Sequence, residues 1–250
     1  MSGRILLFGA TGSTGSELAR RLTQQDNQVF LCGRNEAKLQ KLSDELGAPF
    51  GLVESWEKAE IDTVVKQSVE CLGSLSGVAN LIGSLLLKPA HTTSDEDWDN
   101  TLSTNLTSFF SILRSVAPVM QKGEGGSIVF VSSAAALNGM ANHEAIAAAK
   151  AGVIGLARSA AATYASRGIR VNCVAPGLVR SQMTEKMLSN SMTEEVSLAM
   201  HSVGRLGEPS DVASMIEWLL DPENSWVSGQ VFSVDGGLSS LMPKIKTKLS

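Results

Sequence analysis

Residues 4–19 read RILLFGATGSTGSELA, and the order of residue types in this stretch decides the fold. Four apolar residues make a buried strand. Gly9, Gly12 and Gly15 follow at intervals of three, and a helix pattern opens at once. Glycine permits a tight turn and a close approach of backbone to a pyrophosphate. The helix start then offers free N–H groups and the positive end of its dipole. Glycines also simply make turns, but the strand–loop–helix context favours a nucleotide site. Thr11, Ser13 and Thr14, set between the glycines, are assigned to the same contact.

Outward from this unit the pattern repeats. Apolar runs suited to buried parallel strands occur as QVFLCG, GVANLIG, GSIVFVSS, IRVNCVAPG and GQVFSVDGG, with a weaker one, APFGLVE, after the second. Helical stretches separate them, among them NEAKLQKLSDEL, DTVVKQSVECL and the long DWDNTLSTNLTSFFSILRSVAPVMQ. Such alternation predicts an α/β fold: a doubly wound (Rossmann), mainly parallel seven-stranded sheet with helices on both faces. No linker or repeat divides the chain, so residues 1–250 are expected to form one dinucleotide-binding domain. A helical region at about 181–203 interrupts the pattern. It reads either as a mobile lid over a site or as an ordinary surface hairpin.

Composition narrows the function. Hydrophobic residues at 43% suffice for a large core, and charged residues at 18% are too few for a disordered chain. A net charge of −4 gives no general attraction to nucleic acid or to an anionic membrane. No apolar run is expected to span a bilayer, and the chain enters its first strand without a signal peptide. Cys32, Cys71 and Cys173 are far apart and lack metal-ligand spacing; they read as buried free thiols. The expectation is a cytoplasmic protein acting on a small molecule, with no metal.

The second strand ends at Gly33-Arg34. A carboxylate there would bind ribose hydroxyls and repel a 2′-phosphate, whereas the planar fork of Arg34 suits a phosphate. The plain alternative is a solvated Arg at a strand end. The preferred cofactor is NADP(H).

With these residues in place, the chain resembles the short-chain dehydrogenase/reductase family over nearly its whole length. DEDWDNTLSTNL resembles the family's long helix and carries Asn105. SIVFVSS ends in Ser133, which matches the catalytic serine, and AAAKAGVIGLARSAA places Lys150 on the lysine helix. RGIRVNCVAPGLVRS matches the strand and turn beside the nicotinamide, where Pro176, Gly177, Val179 and Ser181 would contact cofactor. GRLGEPSDVA and SGQVFSVDGG resemble the C-terminal strand region. The resemblance implies that Ser133 hydrogen-bonds the substrate oxygen, Lys150 holds the nicotinamide ribose, and Asn105 orders a water. It also implies a homo-oligomer, with a tetramer favoured, packed through the Ala-rich helix from Ala147 to Ala162.

The chain departs from the family pattern in three places. Ser13 takes the middle glycine position, with Gly12 just before it. The Asn-Asn-Ala-Gly segment appears as Asn80-Leu81-Ile82-Gly83, keeping Asn80 and Gly83 for the cofactor beside Ile82. Most consequentially, the tyrosine position four residues before Lys150 holds Ile146. The single Tyr164 lies almost four turns beyond Lys150, about 21 Å along a helix, and reads as a packing residue.

His143 is the candidate substitute acid, on the Lys150 face and about 10 Å from it along the axis. The plain alternative is that Asn142 caps the helix, Glu144 complements its dipole, and His143 merely begins it. His91 and His201 lie in polar, loop-like surroundings, and the four tryptophans read as core or interface aromatics. Two functions remain. The first is an NADP(H)-dependent oxidoreductase acting on a small or medium carbonyl or alcohol, its proton supplied by water, His143 or the substrate. The second is an NADP(H)-binding, non-catalytic redox sensor or assembly partner. A non-redox enzyme on the same fold ranks last, since the nucleotide loop is kept.

Overall fold

The first strand, β1 (Arg4–Phe8), feeds its side chains to both faces of a sheet. Ile5 and Leu7 enter one core with helix residues Leu18, Leu22 and Ile216, while Leu6 and Phe8 enter the other with Ile61, Ile112 and Val153. This period of two explains the unbroken apolar run: a strand covered on both sides has no face for polar residues. The structure, a computed structural model, describes residues 2–243. Met1 and residues 244–250 of the expected 1–250 domain lie outside the described residues.

After β1 come α1 (Ser13–Gln24), β2 (Gln28–Gly33), α2 (Glu36–Leu46), β3 (Phe50–Leu52), α3 (Lys58–Leu72) and β4 (Gly77–Asn80). The long helical stretch follows as α4 (Asp95–Leu102) and α5 (Ser108–Lys122), joined through a π-helical turn at Ser103–Thr107. Next are β5 (Gly126–Val131), α6 (Glu144–Tyr164), β6 (Ile169–Pro176), α7 (Glu185–Leu188), α8 (Ser191–Met200), α9 (Pro209–Leu220) and β7 (Val231–Val234). All strands are parallel, in the order β3-β2-β1-β4-β5-β6-β7. The seven-stranded Rossmann-like sheet is therefore as expected. Its order reverses between β1 and β4, and the crevice beyond their carboxyl ends is where such sheets bind ligands.

Several local expectations need correction. The third strand is only three residues long, at Phe50–Leu52. Cys71 is exposed, whereas Cys32 and Cys173 are buried. Trp226 is fully exposed, while Trp56 packs against the core and Trp218 meets Phe232 edge to face. Glu144–Arg167 does have the length and hydropathy of a membrane span, but half of its most apolar window is buried in the fold. Tyr164 ends α6, packed against the core.

Candidate active site

The glycine loop is shaped by contacts that exclude side chains. Gly9 has φ +77°, and a Cβ there would meet the Leu81 carbonyl carbon at 3.0 Å. A Cβ at Gly15 would lie 2.2 Å from the Gly9 oxygen, because α1 begins hard against β1. Gly12, by contrast, has φ −72° and ordinary space around it. Gly15→Ala is thus expected to lower Tm by at least about 2 °C through overpacking. Gly12→Ala should leave Tm nearly unchanged, and thermal melts of the two variants check the contrast. No side chain caps α1, so its first N–H groups face the crevice. Thr14 stands half-buried in its first turn. Thr11 Oγ1 lies beside Gly33, the residue before Arg34. Arg34 is exposed, and Lys38, one turn into α2, donates to Gln182 Oε1 at 3.0 Å. Ser13 Oγ accepts the Gln182 N–H at 3.3 Å. The expected lid region therefore begins in contact with the phosphate loop.

Beyond β4, Asn80 is completely buried. Its Oδ1 accepts the Ile82 N–H at 3.0 Å, while its Nδ2 has no partner. A buried amide left half-satisfied is costly, and it stands at the crevice between β1 and β4. Gly83 leaves room for two groups: a Cβ there would lie 3.3 Å from Asn105 Oδ1 and 3.7 Å from Lys150 Nζ. Asn105 itself sits in the π-helical turn, an irregularity that often marks a functional site. Its amide donates to Ser84 Oγ at 2.8 Å and to the Thr101 carbonyl at 3.0 Å. Its oxygen accepts the Ser84 N–H at 3.0 Å.

Lys150 is 5% exposed and reaches across the ends of two strands. Nζ donates to the Val131 carbonyl at 2.9 Å and to the Ile82 carbonyl at 3.4 Å, and lies 4.5 Å from the Phe109 ring centroid. Burial lowers its pKa to about 7, only partly opposed by Cys173. Cys173 gives no full counter-charge, since burial pushes that thiol up to about 12. Lys150 thus holds an exchangeable proton near neutrality.

Ser132 and Ser133 divide their tasks. Ser132 Oγ donates to the Lys150 carbonyl at 2.8 Å and pins α6 to β5. Ser133 Oγ accepts the Ala135 N–H at 3.2 Å, so its own hydrogen is free to donate to a substrate oxygen. Ile146 is buried one turn before Lys150. His143 stands just before the first residue of α6. It occupies the N-cap position, with Nδ1 2.7 Å from the Ala141 carbonyl. Asn142, expected to be the cap, instead takes a left-handed turn at φ 63°. Beyond β6, the Gly177 N–H donates to the Val234 carbonyl at 3.1 Å. Val179 bridges Gly207, and Ser181 begins a turn closed by Thr184 Oγ1. Among the described residues no three His, Cys, Asp or Glu side chains gather to hold a metal.

A family model described as "Enoyl-(Acyl carrier protein) reductase" matches residues 9–239, which takes in the glycine loop, Asn105, Ser133, Lys150 and the turn after β6. The chain belongs to the short-chain dehydrogenase/reductase family. Relatives align over nearly the whole chain. The 3-oxoacyl-[acyl-carrier-protein] reductase FabG of Thermotoga maritima is 34% identical over 242 residues, covering 93% of this chain and 96% of that protein. A short-chain type dehydrogenase/reductase of Mycobacterium ulcerans superposes with TM-score 0.92 at 28% identity, over 97% of this chain and 93% of that one. ElxO has been solved with NADP bound (TM-score 0.89, 25% identity) and, as a phenylalanine-for-tyrosine variant, with NADPH bound (TM-score 0.90, 26% identity). Each ElxO match covers 96% of this chain and 100% of the other. The chain is thus an oxidoreductase of the short-chain type with a nucleotide-binding Rossmann sheet.

Proposed function

We propose that the protein is an NADP(H)-dependent oxidoreductase acting on a small or medium carbonyl or alcohol, with a non-standard proton donor. The observation that carries this reading is a convergence at the β1/β4 switch point: an uncapped helix start behind a side-chain-free loop, the half-satisfied Asn80, and Lys150 Nζ between the Ile82 and Val131 carbonyls. These features fit a dinucleotide. Gly9, Thr11, Gly12, Ser13, Thr14 and Gly15 would take the pyrophosphate and Arg34 the 2′-phosphate. Asn80, Ile82, Gly83, Pro176, Gly177, Val179 and Ser181 would border the rest. When bound, a reduced nicotinamide supplies hydride. Ser133 holds the substrate oxygen, Lys150 orients the ribose and keeps a positive field, and Asn105 orders the solvent beside it. Ile146 cannot ionise, so the proton comes from water, Lys150, His143 or the substrate. NADPH binding measured in parallel with turnover across a carbonyl panel tests the whole reading.

Support for the phosphate comes from Arg34, which is exposed and forms no ion pair among the described residues, and from the NADP-bound structural relative. Arg34→Ala is expected to weaken NADPH binding at least about tenfold, the effect of one charge-assisted hydrogen bond, and to leave NADH binding nearly unchanged. Equal losses for both cofactors would assign Arg34 to the fold instead. The second reading, an NADP(H)-binding protein without turnover, is favoured by one observation: the buried isoleucine one turn before Lys150. Tight NADPH binding with no turnover on any substrate would put that reading first.

A further inference from the structure

His201 follows the last residue of α8 and is only 3% exposed, despite the polar sequence around it. It is not the isolated loop residue that its surroundings suggested. Nδ1 lies 2.6 Å from the Ser197 carbonyl, one turn back in α8, and Nε2 takes the Leu178 N–H at 3.2 Å. A carbonyl only accepts and an N–H only donates, so these partners fix the ring as neutral with its hydrogen on Nδ1. The ring also packs on glycine. A Cβ at Gly177 would lie 2.8 Å from Nε2, and one at Gly236 would lie 3.5 Å from the ring's Cδ2. One imidazole therefore ties the end of the lid helix to the turn after β6 and to the loop after β7.

We propose that His201 is a positioning residue for the cofactor site: its neutral ring latches α8 to the Gly177–Leu178 backbone, and protonation releases it. This rests on the reading that the turn from Pro176 to Ser181 borders the cofactor. The cause of release is a clash of donors. An imidazolium carries hydrogen on both nitrogens, so Nε2–H would face the Leu178 N–H with no acceptor between them. Most of the charged groups on the neighbouring elements are already engaged. On the β7 loop, Asp235 accepts from the Gly237 N–H, the Ser239 N–H and the Ser239 hydroxyl. On α8, Glu194 pairs with Arg180 at 2.6 Å and Glu195 is exposed, while Arg205, past the helix, pairs with Asp211. No carboxylate among the described residues hydrogen-bonds the ring.

Hydrogen–deuterium exchange of the cofactor-free protein, corrected for intrinsic rates, tests the latch in a series of buffers from about pH 8 down to about pH 5.5. Protection of residues 181–203 should fall with acid. NADPH affinity should fall about fivefold to tenfold over the same range, the worth of one hydrogen bond. His201→Gln, whose amide oxygen can accept from Leu178, should bind NADPH as wild type does at the upper pH and lose the acid sensitivity of the lid. His201→Phe fills the space without an acceptor and should resemble acidified wild type at every pH. Titration of Lys150 and of the cofactor phosphate is common to all three proteins, so the difference between them is the measure. Lid protection that ignores pH in wild type, or the same acid sensitivity in His201→Gln, would overturn the latch. The wild-type and His201→Gln comparison decides the matter even if His201→Phe does not fold. Absence of NADPH binding at any pH would overturn the role in the cofactor site, while the exchange data would still judge the latch alone.

Discussion

Replacing Ile146 by tyrosine is expected to raise carbonyl-reductase turnover by up to ~10²–10⁴, the usual worth of a positioned general acid. The phenol would stand one helical turn from Lys150, whose cation stabilises a phenolate, and close to the strand end that carries Ser133. Two features already hold that geometry: Ser132 Oγ fixes the Lys150 carbonyl, and Nζ is anchored to Val131 and Ile82. The site that receives the phenol is tight, since Ile146 is 4% exposed, and overpacking could mask the gain. NADPH affinity and kcat should therefore be measured on the same preparation. His143→Ala gives the complementary result. Native turnover should drop if His143 is the donor, and stay unchanged if water, Lys150 or substrate supplies the proton. Intact NADPH binding without turnover in both wild type and Ile146→Tyr would defeat the reductase reading.

Lys150→Met should move activity and stability in opposite directions. Turnover should fall below detection as the ribose anchor and the positive field are lost. The folded protein, however, should gain on the order of a few kcal/mol near neutral pH, because a buried ammonium is costly. The sign follows from proton counting. Folding lowers the Lys150 pKa to about 7, against an ordinary value near 10.4 in the unfolded chain. Below about pH 7 both states carry the proton, and the full cost of the buried cation is present. Between about pH 7 and about pH 10 the unfolded chain holds a proton that the folded one has released, so wild-type stability rises with pH across that window. The advantage of methionine should shrink accordingly. Denaturant unfolding of both proteins at about pH 6 and about pH 9 tests this, and an advantage equal at both would mean that the charge is not what burial penalises.

What could be read from the sequence follows from how local each cause is. The strands were legible because β1, β2 and β5 bury both faces, leaving runs such as Leu6–Phe8 without a polar interruption. The glycine loop was legible because Gly15 answers to Gly9 and Ala10 just before it and Gly9 to its own positive φ, whereas the Leu81 backbone that also closes in on Gly9 lies far along the chain. The site residues Asn105, Ser133 and Lys150 could be placed by their order along the chain, but their contacts could not. Ser84 meets Asn105 only because the chain beyond β4 folds back over a helix 21 residues away. The same limit hid His201, whose partner Leu178 is 23 residues distant, and the link from Gln182 to Lys38 and Ser13. The start of α6 was off by one residue for a different reason. A left-handed Asn142 delays the helix by one residue, and no periodicity reveals a backbone angle.

The π-helical turn at Ser103–Thr107 has a mechanical meaning. A helix is a screw that advances about 100° per residue, so one surplus residue resets the threading of everything after it. Before the turn, α4 lies against α6; after it, α5 lies against α3 as well. Asn105 stands at the changeover, its oxygen turned to the Ser84 N–H. Deleting a single residue between 103 and 107 would give a smoother screw. It would also rotate Phe109 away from the Lys150 ammonium, leaving a neater helix beside a disassembled site.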